Sequence, residues 1–579
     1  MATSAENAGT AGPGGRRGED YVLVLGQAAM TALRVTRDGL EPAGAVAPTG
    51  GRVPSPARVA EDLALEGDPV FILAGAGSPR VTVDGRYALN PAGIKATAAT
   101  VLRTGAVPAG PLPSETAAAD VFVHELARQR PDVLLLTQTM AGDKLRSLAR
   151  FLETPSFLEC PLPIVYSGRD TLAPKTLENL PGCRYEPAPV TATSGKVDTR
   201  TLERLLTGLV QDLTDAAVSR AGFGRPPAMT MGRAAVAAAV GLIRLAGPGG
   251  ACLIAAEPAE VAAFVPAADT IDAASTSVTG TGTVELCATG RGGAGGPRPA
   301  GWMPAWEDLI NRIPLHSEAG NVANKVADVL VRPWAGPAGP EEACVAAALI
   351  EDVLCRLIAR WDSTVRPETN PRHCRVIVGT GLGFWRLGDP RLAAACLLDA
   401  LQPVGVTTVG IDPWGRMLVE AAVNVPRPLG PDWVATCVSP LRARLEPRNG
   451  DSDPWAIVTV LRSTGQTTAR RLVPGRIGSI HVPPGEKAEL TIEPCLRHID
   501  FGAGPGKTWR GRVNGSLAGV ILDGRGRPLE TPADPVLRVT KQREFLAALG
   551  VLGELEGRAR KVARRSPGAA RGPRGGSQD

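Results

Sequence analysis

At 579 residues the chain is long enough for roughly three or four domains, each with its own core, and its formal net charge is only +5. Much of the excess lies in a Gly/Pro/Ser-rich tail whose arginines, among them Arg558, Arg560, Arg564 and Arg571, have no interleaved aromatics to stack bases, which argues against a nucleic-acid partner. The 10 cysteines form no CxxC pair and sit mostly in apolar surroundings, and the longest Ala/Val/Leu run, Ala234 to Ile243, is too short to cross a bilayer, so a cytoplasmic protein with no membrane partner is expected.

Residues 1–19 are rich in Gly and Ala, carry acidic residues and lack the apolar stretch of a signal peptide; they are expected to be disordered. Residues 20–225 form the first folded block. Tyr21 to Leu25 and Thr31 to Val35 read as an opening strand and its return, followed by strands at Val70 to Ala74, Asp132 to Leu136 and Pro163 to Tyr166. Helices are expected around Ala141 to Glu153 and from Val197 to Val218.

Residues 226–429 repeat the plan: a hairpin from Ala251 to Ala255 and Glu260 to Val265, a helix from Glu341 to Trp361, and two strand-like runs joined by a crossover helix at Arg391 to Leu401. A duplicated α/β domain with a cleft between the copies follows from that repetition. Residues 430–549 alternate strand-like runs with Gly/Pro turns, as at Ala456 to Leu461, Lys487 to Ile492 and Leu517 to Leu522, and end in a helix from Thr540 to Leu549. They read as a small β-rich domain, with Arg510, Arg512, Arg525 and Arg527 on a solvated strand face. Residues 550–579 are expected to be a basic disordered tail.

The first of the two runs in the second block ends in Gly379-Thr380-Gly381-Leu382-Gly383, and the second in Gly410-Ile411-Asp412. Ligands of open α/β sheets lie beyond the carboxyl ends of strands, and glycines there allow close backbone approach, so this turn is either a ligand loop or strand punctuation. Gly502-Ala-Gly504-Pro-Gly506-Lys507-Thr508 imitates a phosphate-binding P-loop, but its first glycine is misplaced and Trp509 to Val513 reads as a strand where a helix must open. The five histidines form no metal-ligand pair beyond Cys495-Leu-Arg-His498, and no Gly-x-Ser-x-Gly elbow is present. His373 beside Cys374 would face opposite sides of a strand.

Leu397-Leu-Asp-Ala-Leu-Gln-Pro403-Val-Gly-Val-Thr-Thr408, running into Ile411-Asp412-Pro413, resembles the glutamate mutase accessory MutL family, unrelated to the mismatch-repair protein of that name. Ile313-Pro-Leu, Asn324-Lys325, Arg332-Pro333-Trp334 and Gly515-Ser-Leu-Ala-Gly-Val-Ile-Leu-Asp523 resemble further stretches of it in the same order. The resemblance implies an actin-like ATPase fold with two ribonuclease-H-like lobes around a nucleotide cleft. It also implies a chaperone or reactivating role beside a B12-dependent mutase, with Gly379, Thr380, Gly381 and Gly383 on the adenosine side.

The chain departs from that pattern in its phosphate loops. Where the family has Asp-x-Gly-Ser-Thr, the sequence is Val24-Leu-Gly26-Gln27-Ala28-Ala29; the second loop reads Ala255-Ala-Glu257-Pro258-Ala-Glu260. Each charge-assisted hydrogen bond lost costs about 1.5–3 kcal/mol, so losing several pushes ATP affinity beyond roughly the millimolar range. The resulting expectation is a pseudo-ATPase with residual ATP or ADP binding at most, no assigned catalytic residue and no metal, acting as a scaffold or chaperone for a protein partner. An active ATPase would need another acid, Asp143 being the first candidate, and a hydantoinase-like amidohydrolase is the second alternative.

Overall fold

The computed structural model describes residues 21–25, 30–36, 39–46, 56–65, 69–74, 79–83, 100–101, 104–108, 121, 123–124, 126–127, 131–136, 142–153, 162–166, 184–187, 191–193, 196–198, 200–220, 228–246, 250–257, 260–264, 306–314, 319–331, 336–337, 339–362, 370–423, 430–441 and 453–551. The chain is a mixed α/β protein. The expected tail at 1–19, all of the expected tail at 550–579 beyond Val551, and the turn Gly26-Gln27-Ala28-Ala29 lie outside the described residues.

The first sheet opens with β1 (Tyr21–Leu25), β2 (Met30–Thr36) and β3 (Gly39–Val46), continues after helix α1 (Pro56–Asp62) with β4 (Pro69–Ala74), and later takes in β12 (Ala228–Thr230). Its order is β12-β4-β1-β2-β3, with β1, β2 and β3 antiparallel and β4 and β12 parallel to β1. Between β4 and β12 the chain builds a separate parallel sheet, ordered β6-β5-β7-β8-β9, from β5 (Arg80–Val83), β6 (Val107–Pro108), β7 (Val133–Leu136), helix α2 (Gly142–Leu152), β8 (Pro163–Tyr166) and β9 (Arg184–Pro187). A small hairpin, β10 (Thr191–Thr193) and β11 (Lys196–Asp198), leads into α3 (Arg200–Arg220), and α4 (Met231–Ala246) follows β12.

The second sheet begins with the hairpin β13 (Ala251–Glu257) and β14 (Glu260–Phe264). Helices α5 (Trp306–Arg312), α6 (Ala319–Val331) and α7 (Pro340–Asp362) precede β15 (Val376–Thr380), α8 (Leu382–Trp385), α9 (Pro390–Leu401), β16 (Gly405–Asp412) and α10 (Arg416–Ala422). β13, β15 and β16 run parallel, and their Val/Ile/Leu-rich sequences are buried on both faces, as parallel strands covered by helices must be. Asp389 caps α9 by accepting from Arg391 N–H at 2.8 Å, with Pro390 pre-set in the first turn, and Gln402 ends the helix at φ 49°.

Period-two alternation sorts side chains to the two faces of each sheet. Val22, Val24, Leu253, Val376 and Val378 meet Ala234, Ala238 and Leu242 of α4 and Met417, Leu418 and Val419 of α10, so these two helices are packed between the sheets. Cys252, Ile254, Ile377, Val409 and Ile411 face the other way, onto α7 and α9.

The sheet does not stop at residue 429. β17 (Asp432–Ser439) pairs antiparallel with β16, and the order continues through β23 (Val520–Asp523) to β20 (Ile477–Ile480). Among the described residues of 430–549, β18 (Ala456–Arg462), β19 (Thr467–Leu472), β21 (Lys487–Pro494) and β22 (Trp509–Asn514) form a sheet of their own, ordered β19-β18-β21-β22. Their alternating buried and exposed residues place Val458, Val460, Leu490 and Ile492 against Val438 and Leu522 of the second sheet. Helix α11 (Pro535–Ala548) closes the described chain; Asp534 caps it, accepting from Val536 N–H at 3.0 Å.

Candidate functional site

β15 and β16 end level with each other, Thr380 beside Asp412, and Ala255 of β13, two residues before that strand's end, sits beside Thr380. Beyond Thr380 the chain turns at Gly381, whose φ of 105° and ψ of 172° belong to glycine alone, and enters the single turn α8. Gly381 N–H donates to the Asp412 carbonyl at 3.1 Å.

The Asp412 carboxylate is buried and engaged on both oxygens. Thr380 Oγ1 donates to Oδ2 at 3.0 Å and Met417 N–H to the same oxygen at 2.8 Å, while Arg416 N–H donates to Oδ1 at 3.0 Å. The Arg416 guanidinium lies 3.7 Å from Oδ1 and bonds Asp432 at 3.3 Å. Burial pushes the Asp412 carboxyl above its ordinary range, against the opposing pull of Met417 N–H, Thr380 and Arg416. Asp412 thus fastens the first turn of α10 to the end of β15.

The glycines of the turn are spent on the protein itself. A Cβ on Gly381 would lie 2.6 Å from the Ala256 carbonyl oxygen, one on Gly383 would lie 2.9 Å from both that oxygen and Ala256 Cβ, and one on Gly379 would enter the Phe384 ring at 2.9 Å. Close approach is required here, and the chain that approaches is the end of β13. Flanking the turn, the half-buried rings of Trp385 and Trp414 meet with centroids 5.5 Å apart at 53°.

The other sequence candidates separate. Ala255 joins the row with Thr380 and Asp412, and Glu257 ends β13 opposite Glu260; the Glu257 side chain and the turn at Pro258 lie outside the described residues. Gly26, Gln27 and Ala28 lie outside them too. Asp143 is in the first turn of α2, between β7 and β8 of the separate parallel sheet, and not in the segment that carries Gly379 to Gly383.

Several side readings are decided by geometry. In the P-loop look-alike, Asp500 Oδ1 accepts from Gly502 N–H at 2.7 Å and Gly504 N–H at 2.9 Å, so the loop's own carboxylate occupies those amides, and β22 follows where a helix would have to open. His373 closes a 3₁₀ turn, Pro371–His373, instead of standing in a strand, and burial pushes the neighbouring Cys374 thiol up to about 12. Among the described residues no group of three or more His, Cys, Asp and Glu side chains is arranged to hold a metal ion, and no helix is long and apolar enough to cross a membrane.

The expected solvated face at Arg510 to Arg527 needs correction in its second half. Arg510 and Arg512 are exposed on β22. Arg525 and Arg527 instead turn inward onto Asp523 at 2.9 and 2.8 Å, and Arg525 also reaches Asp399 at 2.7 Å. Sequence reading missed these pairs, as it missed Arg386, fully buried against Glu342 at the end of α8.

No protein-family model matches the chain, and no curated protein matches it. Among solved structures, the ATP-dependent caprolactamase from Pseudomonas jessenii is 11% identical, over 78% of this chain and 81% of that one, with a TM-score of 0.31. A nucleotide-free acetone carboxylase, described in the context of ATP-dependent acetone carboxylation, is 12% identical over 68% and 71% of the two chains, with a TM-score of 0.28. Likenesses this loose carry no argument, and the resemblance to the MutL family rests on the quoted sequence stretches alone.

Proposed function

We propose that the chain is a divergent two-lobed protein of the actin-like ATPase type that acts by binding a protein partner and does not turn over ATP. The strand orders support the two-lobed reading. The first sheet has three antiparallel strands with two parallel strands added beside β1, and the second repeats the hairpin and the two parallel strands as β14-β13-β15-β16. In both, a helix follows the last parallel strand, α4 in one and α10 in the other, and the two pack between the sheets.

The observation that carries the non-catalytic reading is the self-engagement at the carboxyl edge of β15 and β16. Asp412 is bonded by Thr380, Arg416 and Met417, and Ala256 fills the space beside Gly381 and Gly383. A general base or metal ligand made from Asp412 would have to surrender those bonds, each worth about 1 kcal/mol or more. The partner proposed from the sequence resemblance is a subunit of a B12-dependent mutase, for which the chain would serve as scaffold or chaperone.

Calorimetric titration with ATP and with ADP, each with magnesium, together with a phosphate-release assay and co-purification with such a mutase, tests the reading. Affinity weaker than about 1 mM without phosphate release is the expected result, since each lost charge-assisted bond removes roughly ten- to a hundredfold. Micromolar, magnesium-dependent binding with turnover would replace the proposal by a working ATPase, with Asp143 the first acid to substitute. Failure of the mutase to co-purify would remove the assigned partner.

A further inference from the structure

The sheet β19-β18-β21-β22 packs one face, with Val458, Val460, Leu490 and Ile492, against the second sheet. Its other face meets water, and an antiparallel sheet covered on one side alone is ordinarily polar on the other. Ile457 and Leu461 break that rule: both stand on β18, 38% and 41% exposed. β18 is hydrogen-bonded on both sides, to β19 and to β21, so the two side chains lie in the middle of the face and not at its rim.

The register fixes what borders them. Ile457 lies between Arg471 of β19 and Glu493 of β21, Thr459 between Ala469 and Thr491, and Leu461 between Thr467 and Glu489. Arg471, Glu489 and Glu493 are exposed, and none of them is ion-paired among the described residues. The apolar stripe on β18 therefore has an unpaired cation on one flank and unpaired anions on the other, with Arg471 and Glu493 in the same row as Ile457.

A stripe flanked in this way is complementary to itself, which is what an isologous two-fold interface requires. Turning a second copy about an axis that runs along β18 lays β18 on β18. It also brings β21 of each chain over β19 of the other with every row kept. Ile457 then meets Ile457, Leu461 meets Leu461, and Arg471 of each chain faces Glu493 of the other. Facing sheets pack about 10 Å apart, a gap that two opposed aliphatic side chains fill and that an arginine and a glutamate span. An axis along β21 would instead set Glu489 and Glu493 against their own copies, and one between β18 and β21 would set Ile457 on Glu493.

We propose that this face is a self-association surface whose occupant is a second copy of the chain, in a dimer closed about β18. Three strand columns overlap, so the interface belongs to the small class, below about 1,200 Å² in total, and the dimer is expected to form in roughly the micromolar range.

Sedimentation velocity of the full chain, up to about 200 μM, tests the proposal. The wild type should show a concentration-dependent equilibrium of monomer and dimer, and Ile457→Asp should stay monomeric with the wild-type melting temperature. Arg471→Glu and Glu493→Arg each set like charges against one another at both contacts, so each alone should weaken association by about tenfold or more. Mixed in equal amounts, the two variants restore opposite charges at both contacts and should dimerise as the wild type does, a recovery that misfolding could not produce. A wild type that is monomeric throughout overturns the proposal and leaves the face to a different partner. So does a wild-type dimer that Ile457→Asp does not weaken, or a mixture that associates no better than its components.

Discussion

Gly381→Ala separates the two meanings a glycine turn can have, a cradle for a ligand or a place where two chain segments touch. The new Cβ would sit 2.6 Å from the Ala256 carbonyl oxygen and 3.3 Å from its carbon, and that contact is backbone, so no side-chain rotation relieves it. The conformation itself, φ 105° and ψ 172°, costs a residue with a Cβ about 1–3 kcal/mol, and forced overpacking adds about 1–3 kcal/mol. Together they amount to about 2–6 kcal/mol, a large part of the roughly 5–15 kcal/mol by which domains are stable. Gly430→Ala is the internal control: its φ is 73°, yet nothing lies within 4 Å of the added atom, so it carries backbone strain alone. Several sheets share this chain, so local hydrogen exchange in residues 376–385 and 405–422, with fluorescence of the Trp385–Trp414 pair, is a better reporter than a two-state fit. Gly381→Ala should lose protection there by about thirtyfold or more, and Gly430→Ala by much less. Wild-type protection and emission in Gly381→Ala would refute the close contact with β13. A fold-level loss also means that weakened nucleotide binding in a Gly381 variant does not by itself identify a nucleotide site.

Further substitutions probe the same region and other parts of the chain. Glu342→Leu removes the carboxylate paired with the fully buried Arg386 guanidinium and should cost about 3–5 kcal/mol, whereas adding Arg386→Met should recover part of it, as measured by a double-mutant cycle in urea. Asp412→Ala removes the acceptor for Thr380, Arg416 N–H and Met417 N–H and should cost at least about 2 kcal/mol, and Asp412→Asn less. Because the folded-state carboxyl is raised, the wild type should lose stability as pH climbs from the ordinary aspartate range through the raised one, and thermal melts of Asp412→Asn should lack that contribution. Asp500→Ala frees the Gly502 and Gly504 amides and should be stabilised by added phosphate more than the wild type is, read as a difference in melting temperature; equal shifts would mean that those amides form no anion nest.

Elements that carry their own local signal are legible in the amino-acid sequence. β1 and β15 announce themselves by β-branched apolar runs, and the false P-loop betrays itself by the strand-like Trp509 to Val513 that follows it. The Asp-Pro pairs at Asp389-Pro390 and Asp534-Pro535 state where α9 and α11 begin; reading the second would have placed the start of α11 at Pro535, not Thr540. Partners distant along the chain are not legible. A strand's periodicity says that it has an inner face but not which strand lies beside it, so the extension of the second sheet by β17, β23 and β20 stays hidden. Arg525 likewise looks like any surface arginine until Asp399, far back in the sequence, is seen beside it. What holds the candidate site together is also a long-range pair, Thr380 with Asp412.

That pair explains why the glycine turn and the packing between the sheets have to be considered as one unit. Asp412 holds β15 through Thr380 and the start of α10 through two amides, and α10 presents Met417, Leu418 and Val419 to α4, which follows the last strand of the first sheet. A ligand that drew Asp412 toward a metal ion or a substrate proton would have to break bonds on which the seating of α10 depends. The binding energy it could offer is reduced by that reorganisation, about 2 kcal/mol or more, which is roughly thirtyfold in affinity. A partner protein gripping the surface from outside would incur no such cost, because the joint at Asp412 stays intact. The same acid that makes this edge look like a catalytic site therefore serves as the joint between β15 and α10.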